Sequence, residues 1–107
     1  MEFWEILVPT TLNCGKPIRT RQHREWDSRI RRISNGLTIM KPAIGQWINP
    51  EGKLFQERMI PVRIIATKKQ MEKIVKITLS FYEQEVVLAY KISSDIMLVY
   101  AKGDKNV

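Results

Sequence analysis

Phe55-Gln56-Glu57-Arg58-Met59-Ile60-Pro61-Val62-Arg63-Ile64-Ile65-Ala66 is the stretch on which the reading of this chain turns. Its even positions Ile60, Val62 and Ile64 are all apolar, while its odd positions run Glu57, Met59, Pro61, Arg63 and Ile65. A period of two is the mark of a strand with one face turned to a core. Pro61 has no amide hydrogen to give a ladder, so a bulge or a locally unpaired partner is expected there.

Working outward, Thr67-Lys68-Lys69-Gln70 fits a capping box, in which the threonine oxygen serves a backbone amide and Gln70 reaches back. Met71, Ile74, Val75, Thr78 and Tyr82 then recur at helical spacing, so the segment predicts an amphipathic helix. Beyond it, Val86-Val87-Leu88-Ala89-Tyr90-Lys91 and Leu98-Val99-Tyr100-Ala101-Lys102-Gly103 are two apolar runs joined by Ser93-Ser94-Asp95. That arrangement predicts a hairpin closing a sheet.

In the other direction, Asn49-Pro50-Glu51-Gly52 is a strong turn signal. Before it, Leu37 to Met40 and Gln46-Trp47-Ile48 read as strand, with Pro42 and Gly45 bending or interrupting it. Glu2 to Pro9 reads as the first strand, with Trp4, Ile6 and Val8 on one face and Phe3, Glu5 and Leu7 on the other. A loop with Asn13, Gly15 and Pro17 leads to a helix capped by Thr20 and running to about Ile33. Trp26, Ile30 and Ile33 form its inner stripe, and Asn35-Gly36 ends it as a left-handed cap.

The order is β-α-β-β-α-β with an extra C-terminal strand, an α+β ferredoxin-like sandwich, and residues 1–107 read as a single domain of that kind. Helices in this fold cover one face of the sheet. The open face is expected to display Phe3, Leu7, Met59, Ile65, Val87 and Ala89, and such an apolar surface calls for self-association.

The 107 residues, 44% hydrophobic and 27% charged, suit one small globular domain. No apolar run spans a bilayer, and the opening residues lack the basic start and small-residue cleavage site of a signal peptide. With Cys14 as its single cysteine, the chain is expected to work in a reducing cytoplasm, and Cys14 with His23 makes no zinc site. The net charge of +7 draws on Arg19, Arg21, Arg24, Arg29, Arg31 and Arg32, a solvated helix face or a surface for an anionic partner.

No spacing supports a Ser/His/Asp or Cys/His arrangement, and no phosphate-binding glycine pattern is present. His23 and Cys14 read as an exposed surface residue and an incidental loop residue. Gly45-Gln46-Trp47 and Glu57-Arg58 would fall on neighbouring strands across the tight turn. A carboxylate beside an indole can seat a cation. From the residues alone the pattern reads first as a cross-strand structural pair.

The chain also resembles the bacteriophage S-adenosylmethionine lyases, formerly called hydrolases. The likeness runs through Phe3-Trp4-Glu5-Ile6-Leu7-Val8, Asn35-Gly36-Leu37, Gly45-Gln46-Trp47 and Glu57. It is most specific at Glu83-Gln84, Val87-Leu88-Ala89-Tyr90-Lys91 and Leu98-Val99-Tyr100-Ala101-Lys102-Gly103. The resemblance implies a ferredoxin-like homotrimer with its active site between subunits. It implies cleavage of S-adenosylmethionine to methylthioadenosine and homoserine lactone, with no cofactor or metal. Glu57 would be the catalytic carboxylate holding the substrate's positive groups, with Arg58 in the adjoining register. Gln46 and Trp47 would line the substrate, Trp47 standing where the family has a tyrosine. The competing reading is a non-enzymatic basic module that contacts nucleic acid or a host defence protein. It ranks second, because the third strand offers Met59, Pro61 and Arg63 where base-stacking aromatics would be wanted.

Overall fold

The computed structural model describes residues 1–102. Seven elements follow in order: β1 (Glu2–Pro9), α1 (Thr20–Ile33), β2 (Leu37–Ile39), β3 (Ala43–Ile48), β4 (Leu54–Ala66), α2 (Lys68–Phe81) and β5 (Ala89–Ser93). All strand pairs are antiparallel, and the sheet order is β2-β4-β1-β5 with β3 also paired to β4. The α+β ferredoxin-like sandwich is therefore present, with a strand beyond its basic four.

β4 is the spine. Its C-terminal half lies between β1 and β2, and its N-terminal half leaves the body as a two-stranded arm with β3. At about 3.3 Å per residue the strand is roughly 43 Å long, which accounts for most of the molecule's 56 Å long axis. The arm's tip is an Asx turn: Asn49 Oδ1 accepts from the Glu51 and Lys53 amides at 3.1 and 2.9 Å, and Gly52 takes φ of 82°.

Pro61 acts on the partner strand. β4 stays in register with β1 through Leu7↔Pro61. On the other side, Ile39 pairs with Val62 and Ala43 with Met59, so four steps on one strand face three on β4. The extra residue sits in Met40-Lys41-Pro42 and separates β2 from β3. The bulge expected from Pro61 thus lies across from it. Gly45 interrupts nothing and sits inside β3.

One sheet face carries the core: Ile6, Val8, Val62, Ile64 and Ala66 meet Trp26 and Ile30 of α1, with Met71, Ile74 and Tyr82 from α2 and its end. Trp26 Nε1 donates to Thr78 Oγ1 at 3.0 Å, and that hydroxyl donates to the Ile74 carbonyl at 2.7 Å, so the buried polar atoms are paired. The expected inner stripes of both helices are those observed, as is the Thr67–Gln70 capping box, with bonds of 3.1 and 2.8 Å.

Several expectations need correction. The N-cap of α1 is Arg19, whose amide donates to Gln22 Oε1 at 2.9 Å; Thr20 is already helical. Asn35-Gly36 does end α1, but not as a left-handed cap at Asn35: Ser34 is extended, Gly36 has φ of 146°, and Asn35 N donates to the Ile65 carbonyl at 2.8 Å. The left-handed cap belongs to α2, at Glu83 with φ of 51°. There the Gln84 and Glu83 amides bond the Leu79 and Ser80 carbonyls at 2.9 and 3.3 Å. His23 is half-buried, not exposed, with Nδ1 2.8 Å from the Tyr82 hydroxyl.

The C-terminal hairpin is the largest correction. β5 begins only at Ala89, and Leu98 to Lys102 form no strand; Gly103 lies outside the described residues. The Asp95 amide bonds Ser93 Oγ at 2.9 Å in a local turn, and Met97, Val99 and Tyr100 project into solvent. The extra strand of this sheet is β3. Val87 and Ala89 also change sides: Ala89 pairs with Ile6 and both pack on the core.

Candidate functional site

Cross-strand register sorts the arm's side chains into two faces. Ala43↔Met59, Gly45↔Glu57 and Trp47↔Phe55 share the face continuous with the sheet's open side, and Ile44↔Arg58, Gln46↔Gln56 and Ile48↔Leu54 share the other. Directly opposed residues point the same way, so the structure brings Glu57 and Trp47 together. It places Gln46 and Arg58 on the reverse face, where Gln46 Nε2 donates to Gln56 Oε1 at 2.8 Å.

Around Glu57 the surface is specific. Trp47 and Phe55 stack with ring centroids 4.6 Å apart and planes 14° from parallel. Opposite the carboxylate is Gly45, where a Cβ would come within 3.5 Å of Met59 Sδ. The absence of that side chain leaves bare backbone beside an exposed carboxylate, with a two-ring aromatic slab on one side and a thioether on the other. An anionic group beside aromatic rings and a thioether suits a cation with an apolar body.

A second polar group occupies the open face of the body. Glu5 lies between Arg63 on β4 and Tyr90 on β5, each directly opposite it. Arg63 Nε donates to Glu5 Oε1 at 3.1 Å, and the Tyr90 hydroxyl donates to Glu5 Oε2. This hydrogen bond, with burial adding to it, pushes the Tyr90 phenol above its ordinary value. Glu5 is only 8% exposed. Beside it is a shallow hollow of about 530 Å³ lined by Glu5, Ile39, Met40, Lys41, Pro61 and Arg63. The sequence reading missed this group, although Glu5 breaks the apolar run of β1 and pairs by register with the charged position of β4.

Among the described residues, no three or more His, Cys, Asp or Glu converge as metal ligands would. Among the same residues, no helix is long and apolar enough to cross a membrane.

The sequence matches no protein-family model and no curated protein. Solved structures share the fold. CutA1 from Oryza sativa superposes with a TM-score of 0.67 at 10% identity, over 91% of this chain and 82% of that one. The divalent cation tolerance protein CutA1 from Thermus thermophilus gives 0.64 at 10% identity, over 98% and 91%. A phage SAM lyase in complex with S-methyl-5'-thioadenosine gives 0.64 at 16% identity, over 94% and 90%. At such identities the likeness defines the architecture alone.

Proposed function

We propose that this protein is an S-adenosylmethionine lyase that works as a homo-oligomer, a trimer as the lyase resemblance implies. The observation that carries the reading is Glu57, set across from Gly45 and beside the stacked Trp47 and Phe55. Its carboxylate and the rings suit a sulfonium attached to a planar purine. The structural likeness to a phage SAM lyase with a thioadenosine bound supports it.

In the reaction, a carboxylate oxygen of the substrate attacks its own γ-carbon, and the carbon–sulfur pair returns to sulfur. Methylthioadenosine leaves as a neutral thioether and homoserine lactone forms. Carboxylate and sulfonium charges both vanish in that step, so a dehydrated pocket that holds the two ends in line accelerates it. No proton need be moved, which fits a site without a histidine.

Assembly would supply the dehydration. On one chain Glu57 is exposed, as is Trp47 on the same face of the arm. A second copy over this surface turns an open notch into a pocket. Incubation with S-adenosylmethionine followed by chromatography tests the reading. Methylthioadenosine and homoserine lactone are expected in equal amounts, and intact substrate would falsify it.

A further inference from the structure

We propose that the hollow between Lys41 and Arg63 is the subsite for the substrate's carboxylate, and that it serves the Glu57 of a different copy of the chain. This rests on the lyase reading. Both oxygens of Glu5 are engaged, one by Arg63 Nε and one by the Tyr90 hydroxyl. Glu5 therefore fixes the guanidinium. Arg63 bonds only through Nε among the described residues, and its side chain is 42% exposed. Its terminal nitrogens are left for a ligand, in the fork geometry that matches a carboxylate.

With Lys41 at the rim, two cations and one carboxylate line the hollow, a balance that selects an anion. Ile39, Met40 and Pro61 form the rest of its wall. An anion held there and covered by a second copy would be partly dehydrated, which is what an attacking carboxylate requires.

Distance assigns the two ends to different chains. Glu57 and Arg63 stand six positions apart on one strand, roughly 20 Å along it at about 3.3 Å per residue. In the substrate, only four bonds join the sulfonium sulfur to the carboxyl carbon. One chain cannot reach both ends of the reacting group. An arm laid over a neighbour's open face can.

Two unreactive probes separate the ends. S-adenosylhomocysteine keeps the carboxylate and lacks the sulfonium; decarboxylated S-adenosylmethionine keeps the sulfonium and lacks the carboxylate. Calorimetric titration of Arg63→Gln should show on the order of tenfold weaker binding of the first and unchanged binding of the second. Glu57→Gln should show the reverse. Because Arg63→Gln also removes the ion-pair partner of Glu5, exposed Lys41→Gln is a second variant, expected to weaken the first probe selectively by a few-fold. Co-expressed Glu57→Gln and Arg63→Gln chains should recover activity, with about one site in four complete by random pairing around a closed ring. Equal losses for both probes, or no recovery on co-expression, overturn the subsite and leave the lyase reading standing. A wild type that leaves S-adenosylmethionine intact overturns the reading beneath it.

Discussion

Glu57 faces Gly45 directly across the β3–β4 ladder, and the missing side chain is what leaves room beside the carboxylate. Gly45 has ordinary backbone torsions, and a methyl group there would make normal contacts, so the site and not the strand limits what can stand there. Gly45→Ala should keep the fold and some turnover. Gly45→Leu should keep the fold and lose turnover by about tenfold or more, read by product chromatography beside circular dichroism. A fully active Gly45→Leu would place the substrate elsewhere.

Glu57→Gln preserves shape and removes charge. Turnover of S-adenosylmethionine should drop on the order of a hundredfold or more, with the oligomer unchanged by light scattering. Trp47→Ala should also reduce turnover, through lost packing against the substrate. An undiminished Glu57→Gln removes the carboxylate from the mechanism.

The arginines of α1 offer a control. Arg21, Arg24 and Arg31 lie on the exposed helix surface, away from the open sheet face. Reversing all three charges should leave turnover nearly unchanged. Salt-dependent RNA or DNA binding that disappears in this variant would support the binding-module reading instead.

The helix-end conformations predict stabilities. Glu83 holds a left-handed conformation that disfavours a side chain, so Glu83→Gly should raise stability by about 0.5–1 kcal/mol. Thr78→Val would leave the buried Trp26 indole N–H without its acceptor and should cost about 1–3 kcal/mol. Urea unfolding midpoints distinguish the two outcomes.

His23 gives a pH signature. Burial lowers its pKa, opposed by nearby Asp27, so the folded chain binds this proton less readily than the unfolded chain. Its contribution is complete above the ordinary value of about 6.5 and is lost as pH falls below that. Asp27, pushed up chiefly by burial, contributes with the opposite sign in the carboxylate range. His23→Gln should flatten the fall in urea midpoint just below about pH 6.5; an unchanged profile would count against the half-buried His23–Tyr82 contact.

Much of the architecture was legible because burial on one side writes itself as periodicity. β1, the inner stripes of both helices and the alternation of β4 were all readable in that way. Asn35-Gly36 misled because glycine announces freedom, not the torsion adopted, while Glu83 takes the left-handed cap with no compositional signal. The Leu98–Lys102 run misled for another reason: an apolar run reads alike whether or not the sheet has an edge for it to join. At the site, adjacency of Glu57 and Trp47 followed from the turn, but their separation from Gln46 and Arg58 needed the register. Glu5 and Arg63 stayed hidden because their relation spans 58 residues of sequence.

β4 is also a ruler. It belongs at once to the body and to the arm, so its residue count sets how far Glu57 stands from the Arg63 hollow. A one-residue insertion between Met59 and Val62 would carry Glu57 to the Arg58 face. A two-residue insertion would restore the face and advance the carboxylate by about 7 Å. The reach of this protein can therefore change only in steps of paired residues, each as long as several covalent bonds, and no gradual adjustment lies between them.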